Sequence, residues 1–286
     1  MRMLGQIQRS QSRMIESQAH VATGKRLNKA SDDPAATGQV LGLLTRAANN
    51  DQYQRNVAVA GQDLAASEAA LRALHDALAR AHELSVQASG GSLSASERSK
   101  IGVEVQQLIS EAVGIANRQH GDRYLFAGHK TATKPFTEDV PGNPAIVTYN
   151  GDAGVIEREI AQGERVQVNV PGTGFIPTAI ANLIAFRDAL NTNDLPNVRL
   201  ATGTLKSSMD DGLSLRSQIG ARTSRVEAAG QRHEDTHVLV ETMRSSLQDV
   251  DLSKAIVELE THETAYQAAL AATGRTLQIS LIDFLR

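Results

Sequence analysis

Hydrophobic residues recur every seven positions over much of the N-terminal half of the chain. One stride runs from Val57 to Leu78, and another, offset by three residues, starts at Tyr53. Together the two strides supply the a and d positions of about four heptads. Such a stripe predicts a long helix that buries one narrow face against a partner helix. We expect this seam to contain Val57, Leu64, Leu71 and Leu78.

The repeat then stops and resumes in three further helices. A second helix is predicted after Ser94, because Ser94 and Glu97 have the spacing of a capping box. The longest repeat lies in the C-terminal half, where the seam includes Ile219, Val226, Val240 and Leu247. A last helix has one stride through Leu252, Leu259 and Tyr266 and a neighbouring one through Ile256, Leu270, Leu277 and Phe284.

Between the helical blocks the pattern changes to period two. Glu164–Val170 alternates polar and apolar residues, and Asn150-Gly151 is a two-residue hairpin signal between two predicted strands. We therefore predict a mainly α protein with a small β insertion. Its N- and C-terminal segments are expected to form an elongated, antiparallel, coiled-coil-like helical rod from residues 1–129 and 178–286. The inserted β-rich domain is expected at residues 130–177.

The composition agrees with narrow helical seams. The chain is 41% hydrophobic but only 3% aromatic and holds no Cys, so alanine and leucine must supply most of the burial, and disulfides and thiolate metal sites are excluded. A net charge of −3 provides no whole-chain basic field for nucleic acid or an anionic membrane. The sequence has neither an apolar run that could span a bilayer nor a secretory signal at its start. These signals alone predict a soluble cytoplasmic protein.

One segment matches a catalytic motif. His233–His237 reads HEDTH, which fits the H-E-x-x-H pattern in which two histidines hold zinc and Glu234 acts as general base. The heptad register places His233 on the seam between Val226 and Val240, surrounded by polar neighbours. A catalytic zinc also needs a third protein ligand and an open position. The downstream candidates for that ligand are Glu258, Glu260, His262 and Glu263. We interpret the segment as a polar break in the seam and predict no catalytic residue, metal or cofactor. A zinc metallopeptidase is the remote alternative.

Two segments resemble the bacterial flagellin superfamily. "TGKRLNKASDDPAATG", Thr23–Gly38, is similar to its N-terminal signature, and the Asp-Asp-Pro-Ala-Ala version favours the hook-associated protein 3 family over flagellins proper. "GDRYLFAG", Gly121–Gly128, followed by Lys-Pro-Phe, is similar to that family's exit from the helical rod. Ile219–Glu227 and the C-terminal "SLIDFLR", Ser280–Arg286, agree with it.

The resemblance implies a structural role at the hook–filament junction of the flagellum, without catalytic residues. Members of this family form a short ring between hook-associated protein 1 and the first flagellin subunits. They leave the cell through the flagellar type III channel without a cleaved signal, which implies an extracellular location. An export chaperone is expected to hold the C-terminal region in the cytoplasm. A divergent flagellin that builds the filament itself is the alternative.

The resemblance also raises the question of subunit contacts. Asp32, Asp33, Pro34 and Asn56 are candidates for packing between subunits, and caps and turns within the monomer explain them equally well. Only 22 residues precede Thr23, fewer than the family usually has, and no apolar heptad is clear in Met1–His20. We therefore expect an incomplete innermost coiled coil, and a chain that folds but does not polymerise by itself.

Overall fold

The computed structural model describes the backbone of residues 2–284 and the side chains of residues 5–274. Helices dominate these residues, and the strands are few and short, so the predicted class, mainly α with a small β insertion, is confirmed. The helices are α1 (Arg2–Thr23), α2 (Pro34–Ser89), α3 (Ala95–Ala116), α4 (Phe175–Asn191), α5 (Leu195–Gln248) and α6 (Leu252–Phe284). Within the described residues, no helix is both long enough and apolar enough to cross a membrane.

The helix starts follow local chemistry. Ser94 accepts a hydrogen bond from the Glu97 amide, and the Glu97 carboxylate accepts one from the Ser94 amide, so the predicted capping box opens α3. Pro34 is the first residue of α2, a position where its missing N–H costs no hydrogen bond.

The strands lie between α3 and α4 and form three separate antiparallel hairpins, the first of them before residue 130. They are β1 (Gln119–His120) with β2 (Arg123–Tyr124), β3 (Phe136–Glu138) with β4 (Val147–Tyr149), and β5 (Glu157–Ala161) with β6 (Glu164–Gln167). The predicted hairpin turn at Asn150-Gly151 is wrong, because the strands on either side of it pair with other strands. The Asn150 amide instead donates to the Pro135 carbonyl, and the Asp152 amide donates to the Ala127 carbonyl. Long-range backbone pairing has overridden a local turn signal.

The chain divides into two compact units. The terminal unit contains residues up to 51 and from 235 onward, and the central unit contains residues 52–234. The three predicted ranges, 1–129, 130–177 and 178–286, have different boundaries from these units. They stay a prediction about which segments fold as domains.

The central unit holds most of the hydrophobic core. Leu64, Leu71 and Leu78 of α2 are at most 1% exposed, as expected for one face of a seven-residue repeat, whereas Val57 is half-buried. Ile219 and Val226 of α5 are also buried. Burying a leucine side chain contributes about 1.5–3 kcal/mol, so this seam is a major source of stability. The segment between α3 and α4 adds Phe126, Phe136 and Ile160 to the same core.

Candidate assembly interface

The segment that joins α1 to α2 is tied to the far end of the sequence, within the terminal unit. The Arg26 amide donates to the Gln248 carbonyl over 2.7 Å, and the Val250 amide donates to the Gly24 carbonyl over 3.0 Å. Lys25 and Asp249 form an antiparallel bridge between them. These bonds bring the Thr23–Gly38 signature beside the turn between α5 and α6.

Two of the candidate packing residues, Asp32 and Asp33, accept hydrogen bonds from the backbone of this same segment. The Asp32 carboxylate accepts hydrogen bonds from the amides of Lys29 at 2.7 Å and Asn28 at 3.0 Å, and these bonds hold the pKa of Asp32 below its ordinary value. Asp33 accepts a bond from the Ala36 amide at 3.0 Å, as a helix N-cap does. With Pro34 opening α2, the geometry places all three residues in internal roles. Their contact with other subunits stays a prediction.

The α1–α6 pair has a seam that the sequence analysis did not find. The two helices pack side by side, and because Gly24 bonds to Val250 they run antiparallel. On α1, Ile7, Met14 and Val21 are half-buried at seven-residue spacing. Ser17, which is buried, and the half-buried Ser10 occupy the intervening positions. No apolar heptad is clear in the sequence of Met1–His20, because serines occupy the positions between the three apolar residues of this seam.

On α6, only one of the two predicted hydrophobic strides is even partly buried. Leu259 and Tyr266 are half-buried, whereas Ile256 and Leu270 of the neighbouring stride are 46% and 45% exposed. Leu252, expected on the first stride, is 50% exposed. The side chains of Leu277 and Phe284, and of the Ser280–Arg286 motif, lie outside the described residues.

The terminal unit exposes many large hydrophobic side chains and buries few. Among its described side chains, six hydrophobic residues are buried, whereas ten large ones are at least 45% exposed. Val240 is buried and Leu247 half-buried, with Leu247 packing on a small cluster around Leu27. The exposed residues are Ile15, Leu41, Leu44, Val238, Leu239, Met243, Leu252, Ile256, Val257 and Leu270. Exposed large hydrophobic residues indicate a surface that associates with other proteins where they are contiguous.

A groove in the terminal unit includes one of these exposed residues, Met243. It has a volume of about 450 Å³ between the first part of α2 and the last part of α5. Its apolar lining comes from Leu43, Met243 and Leu247, and Arg46 lies beside them.

Asn56 has an internal contact in the central unit. Its side-chain amide donates to the Glu159 carbonyl over 2.8 Å, which fastens β5 to α2. This contact is half-buried and spans 103 residues of sequence. Asn56 therefore has a structural use that does not require another subunit.

Replacing Asn56 with alanine is expected to destabilise the protein by about 1 kcal/mol, because the Glu159 carbonyl loses its side-chain donor. Denaturant unfolding would measure the change, with the exposed Asn49→Ala as the control that removes the same side chain elsewhere on α2. Equal stability of the two variants would contradict the internal role.

The HEDTH segment makes ordinary structural contacts. The His233 Nε2 lies 2.6 Å from the Ile160 carbonyl, and its ring stacks on Tyr53 with centroids 5.5 Å apart. Glu234 accepts a hydrogen bond from Gln54, and His237 Nδ1 lies 3.7 Å from an Asp51 carboxylate oxygen. Within residues 5–274, no three His, Asp or Glu side chains are arranged to hold a metal ion. Among these residues, none of the downstream candidates therefore joins His233 and His237 in such a group.

The Gly121–Gly128 motif forms the connection between α3 and the insertion. Phe126 is buried, and Gly128 has a φ of +68°, a conformation that glycine adopts readily. The Asp152 carboxylate accepts bonds from the amides of His129 at 2.7 Å and Gly154 at 2.8 Å, which hold its pKa below the ordinary value. Sequence reasoning missed Asp152, because nothing local to it indicates a partner more than 20 residues away.

Family comparisons match both ends of the chain. The family model of the bacterial flagellin N-terminal helical region matches residues 1–131, and that of the C-terminal helical region matches residues 203–285. The two matches together cover about three quarters of the chain.

Individual relatives are similar over nearly the full length. Flagellar hook-associated protein 3 of Escherichia coli is 28% identical over 97% of this chain and 94% of its own length. The flagellar filament 33 kDa core protein of Treponema phagedenis is 25% identical over 93% and 90%. The crystal structure of Bacillus cereus FlgL shares the fold, with a TM-score of 0.64, 23% identity, and coverage of 71% of this chain and 99% of that one.

By name, these relatives are components of the flagellum. With both flagellin regions present in their expected order around a small β insertion, this chain belongs to the bacterial flagellin family.

Proposed function

We propose that the protein is a structural component of the flagellum, located at the junction between hook and filament. The observation that carries the proposal is the similarity to flagellar hook-associated protein 3 along 97% of the chain, including the insertion between the two flagellin regions. The Asp-Asp-Pro segment and the Gly121–Gly128 motif support the same assignment. The role needs no catalytic group, cofactor or metal.

The partners in this proposal are hook-associated protein 1 on one side, flagellin on the other, and copies of the same chain in a ring. The exposed apolar surface of the terminal unit supports assembly through that unit, because burying it against neighbours would stabilise both. A ring or helical array requires two different surfaces on each subunit rather than one self-complementary patch. Export by the type III route, with a chaperone on the C-terminal region, completes the proposal.

Deleting the gene in its host tests this function. Cells without a junction protein are expected to export flagellin but release it as monomers into the medium, and to stop swimming. Reintroducing the wild-type gene and the His237→Ala variant should both restore filaments, since HEDTH has no role in the proposal. Normal filaments in the deletion strain would contradict the junction role.

A filament subunit is the second candidate, because the Treponema relative forms filament cores by name. The same deletion separates the two. Loss of a filament subunit would remove filament mass without releasing another flagellin, whereas loss of a junction protein releases the flagellin that the cell still makes.

A further inference from the structure

Arginines on the central part of α5 are paired with glutamates, with one exception. Arg216 lies 2.8 Å from a Glu68 oxygen, and Arg225 and Arg232 lie 3.5 Å and 3.2 Å from the carboxylate of Glu164. Arg222, on the same helix, has no carboxylate within ion-pair distance among the described residues.

Arg222 is nonetheless half-buried. Its one hydrogen bond runs from a guanidinium N–H to the Asn169 carbonyl over 3.5 Å, the outer limit of such a bond. Removal from water lowers the pKa of Arg222, and no neighbouring acid opposes that effect. A guanidinium carries five N–H donors, so most of its hydrogen-bonding capacity is unused.

Asp63, the acidic residue of α2 that lies level with Arg222, is already paired. Glu68 pairs with Arg216 and Val57 lies against Gly230, so α2 and α5 run antiparallel and Asp63 lies level with Arg222. Asp63, with only 13% of its side chain exposed, binds Arg123 at 3.4 Å and Arg158 at 3.3 Å. Asp63 is therefore already paired with two arginines and forms no ion pair with Arg222.

The surroundings of Arg222 cannot rearrange easily to supply an anion. Asn169 is buried, and its side chain is held by the Ile156 amide and the Gly154 carbonyl, both at 2.8 Å. Asp63, Arg123 and Asn169 also line a cavity of about 30 Å³, which is room for about two water molecules. The local excess of positive charge is thus built into well-ordered elements.

We propose that Arg222 binds a carboxylate from an acidic side chain of a neighbouring protein subunit. A half-buried guanidinium in fixed position binds a carboxylate through two parallel hydrogen bonds, and arginines in such positions are common hot spots of interfaces. The isolated chain bears the desolvation of this charge without a counter-ion, and the neighbour removes that cost. The presence of neighbours rests on the proposed function, whereas the carboxylate preference rests on the geometry alone.

Thermal unfolding of the full chain tests whether Arg222 lacks an internal partner. Arg222→Gln is expected to keep the Tm within about 2 °C of wild type, because it removes an uncompensated charge. Arg216→Gln, which breaks the pair with Glu68, should lower the Tm by at least about 3 °C. A Tm loss in Arg222→Gln as large as in Arg216→Gln would overturn the proposal.

A small carboxylate then probes the site in the purified protein. Acetate at about 0.1 M should raise the Tm of wild type relative to chloride at equal ionic strength, and should not do so in Arg222→Gln. An identical response in both proteins would mean that Arg222 does not bind carboxylates. This arm does not depend on the proposed function.

Complementation of the deletion strain identifies the source of the carboxylate. Arg222→Gln should release at least about tenfold more flagellin into the medium than wild type, with Arg222→Lys in between and Arg225→Gln close to wild type. Normal retention by Arg222→Gln, with an acetate effect present, would assign the site to small anions and overturn the subunit contact. Failure of the wild-type gene to restore retention would instead count against the junction role.

Discussion

Gly128→Ala is expected to destabilise the central unit strongly, for both a conformational and a steric reason. The residue has a φ of +68°, which costs a side chain about 1–2 kcal/mol. The added Cβ would also collide with the carboxylate and the carbonyl oxygen of Asp152. Asp152 cannot move away, because His129 and Gly154 hold its carboxylate and Tyr149 its carbonyl. Overpacking adds about 1–3 kcal/mol, so the total is about 4 kcal/mol.

Gly121→Ala is the matched control, since Gly121 opens the same motif with a similar φ of +58° but has no atom within 4 Å of an added Cβ. It should lose only the conformational part, about 1–2 kcal/mol. Urea unfolding followed by circular dichroism measures both variants. If Gly128→Ala were no less stable than Gly121→Ala, the close approach of Asp152 would be wrong.

Arg187→Met is expected to cost about 3 kcal/mol, although methionine replaces most of the aliphatic volume. The arginine side chain is 7% exposed and pairs with Asp188. One of its terminal nitrogens lies 2.7 Å from Gln106, 3.0 Å from Asn143 and 2.8 Å from the Pro144 carbonyl. Losing a buried donor leaves these acceptors without a charged partner, which is costly in a dry site.

The damage should concentrate in the loop between β3 and β4, because Arg187 joins that loop to α3 and α4. Hydrogen exchange would then accelerate in residues 139–146 before the helices are affected. Arg199→Met provides the control, since Arg199 is exposed on α5 and should change stability by less than about 0.5 kcal/mol. Equal stability losses for the two arginines would contradict the anchoring role.

The helices were predictable because their signals are local and periodic. A seven-residue stride in Leu64, Leu71 and Leu78 marks a buried face whatever the partner is, and a capping box marks a helix start within four residues. The same reasoning failed on α1, where Ser10 and Ser17 sit in the seam. Small polar side chains fill a close helix contact without an apolar signature.

The contacts of the insertion were not predictable from local sequence. Asn150-Gly151 has a strong turn signal, yet β4 pairs with β3 and the segment after it bonds to the Gly121–Gly128 motif. Arg187 and Gln106 are 81 residues apart, and Arg222 and Asn169 are 53 apart. The local sequence does not show that Arg187 is a buried anchor with several partners, or that Arg222 is half-buried without an ion pair. Both properties depend on the tertiary arrangement.

The position of the protein on the flagellum tests the proposed junction role most directly. Antibodies against the insertion, detected with gold particles on intact flagella, should label a single short band between the hook and the filament. Labelling along the whole filament would contradict the junction role and identify the chain as a filament subunit. A strain that lacks the gene supplies the background for both outcomes.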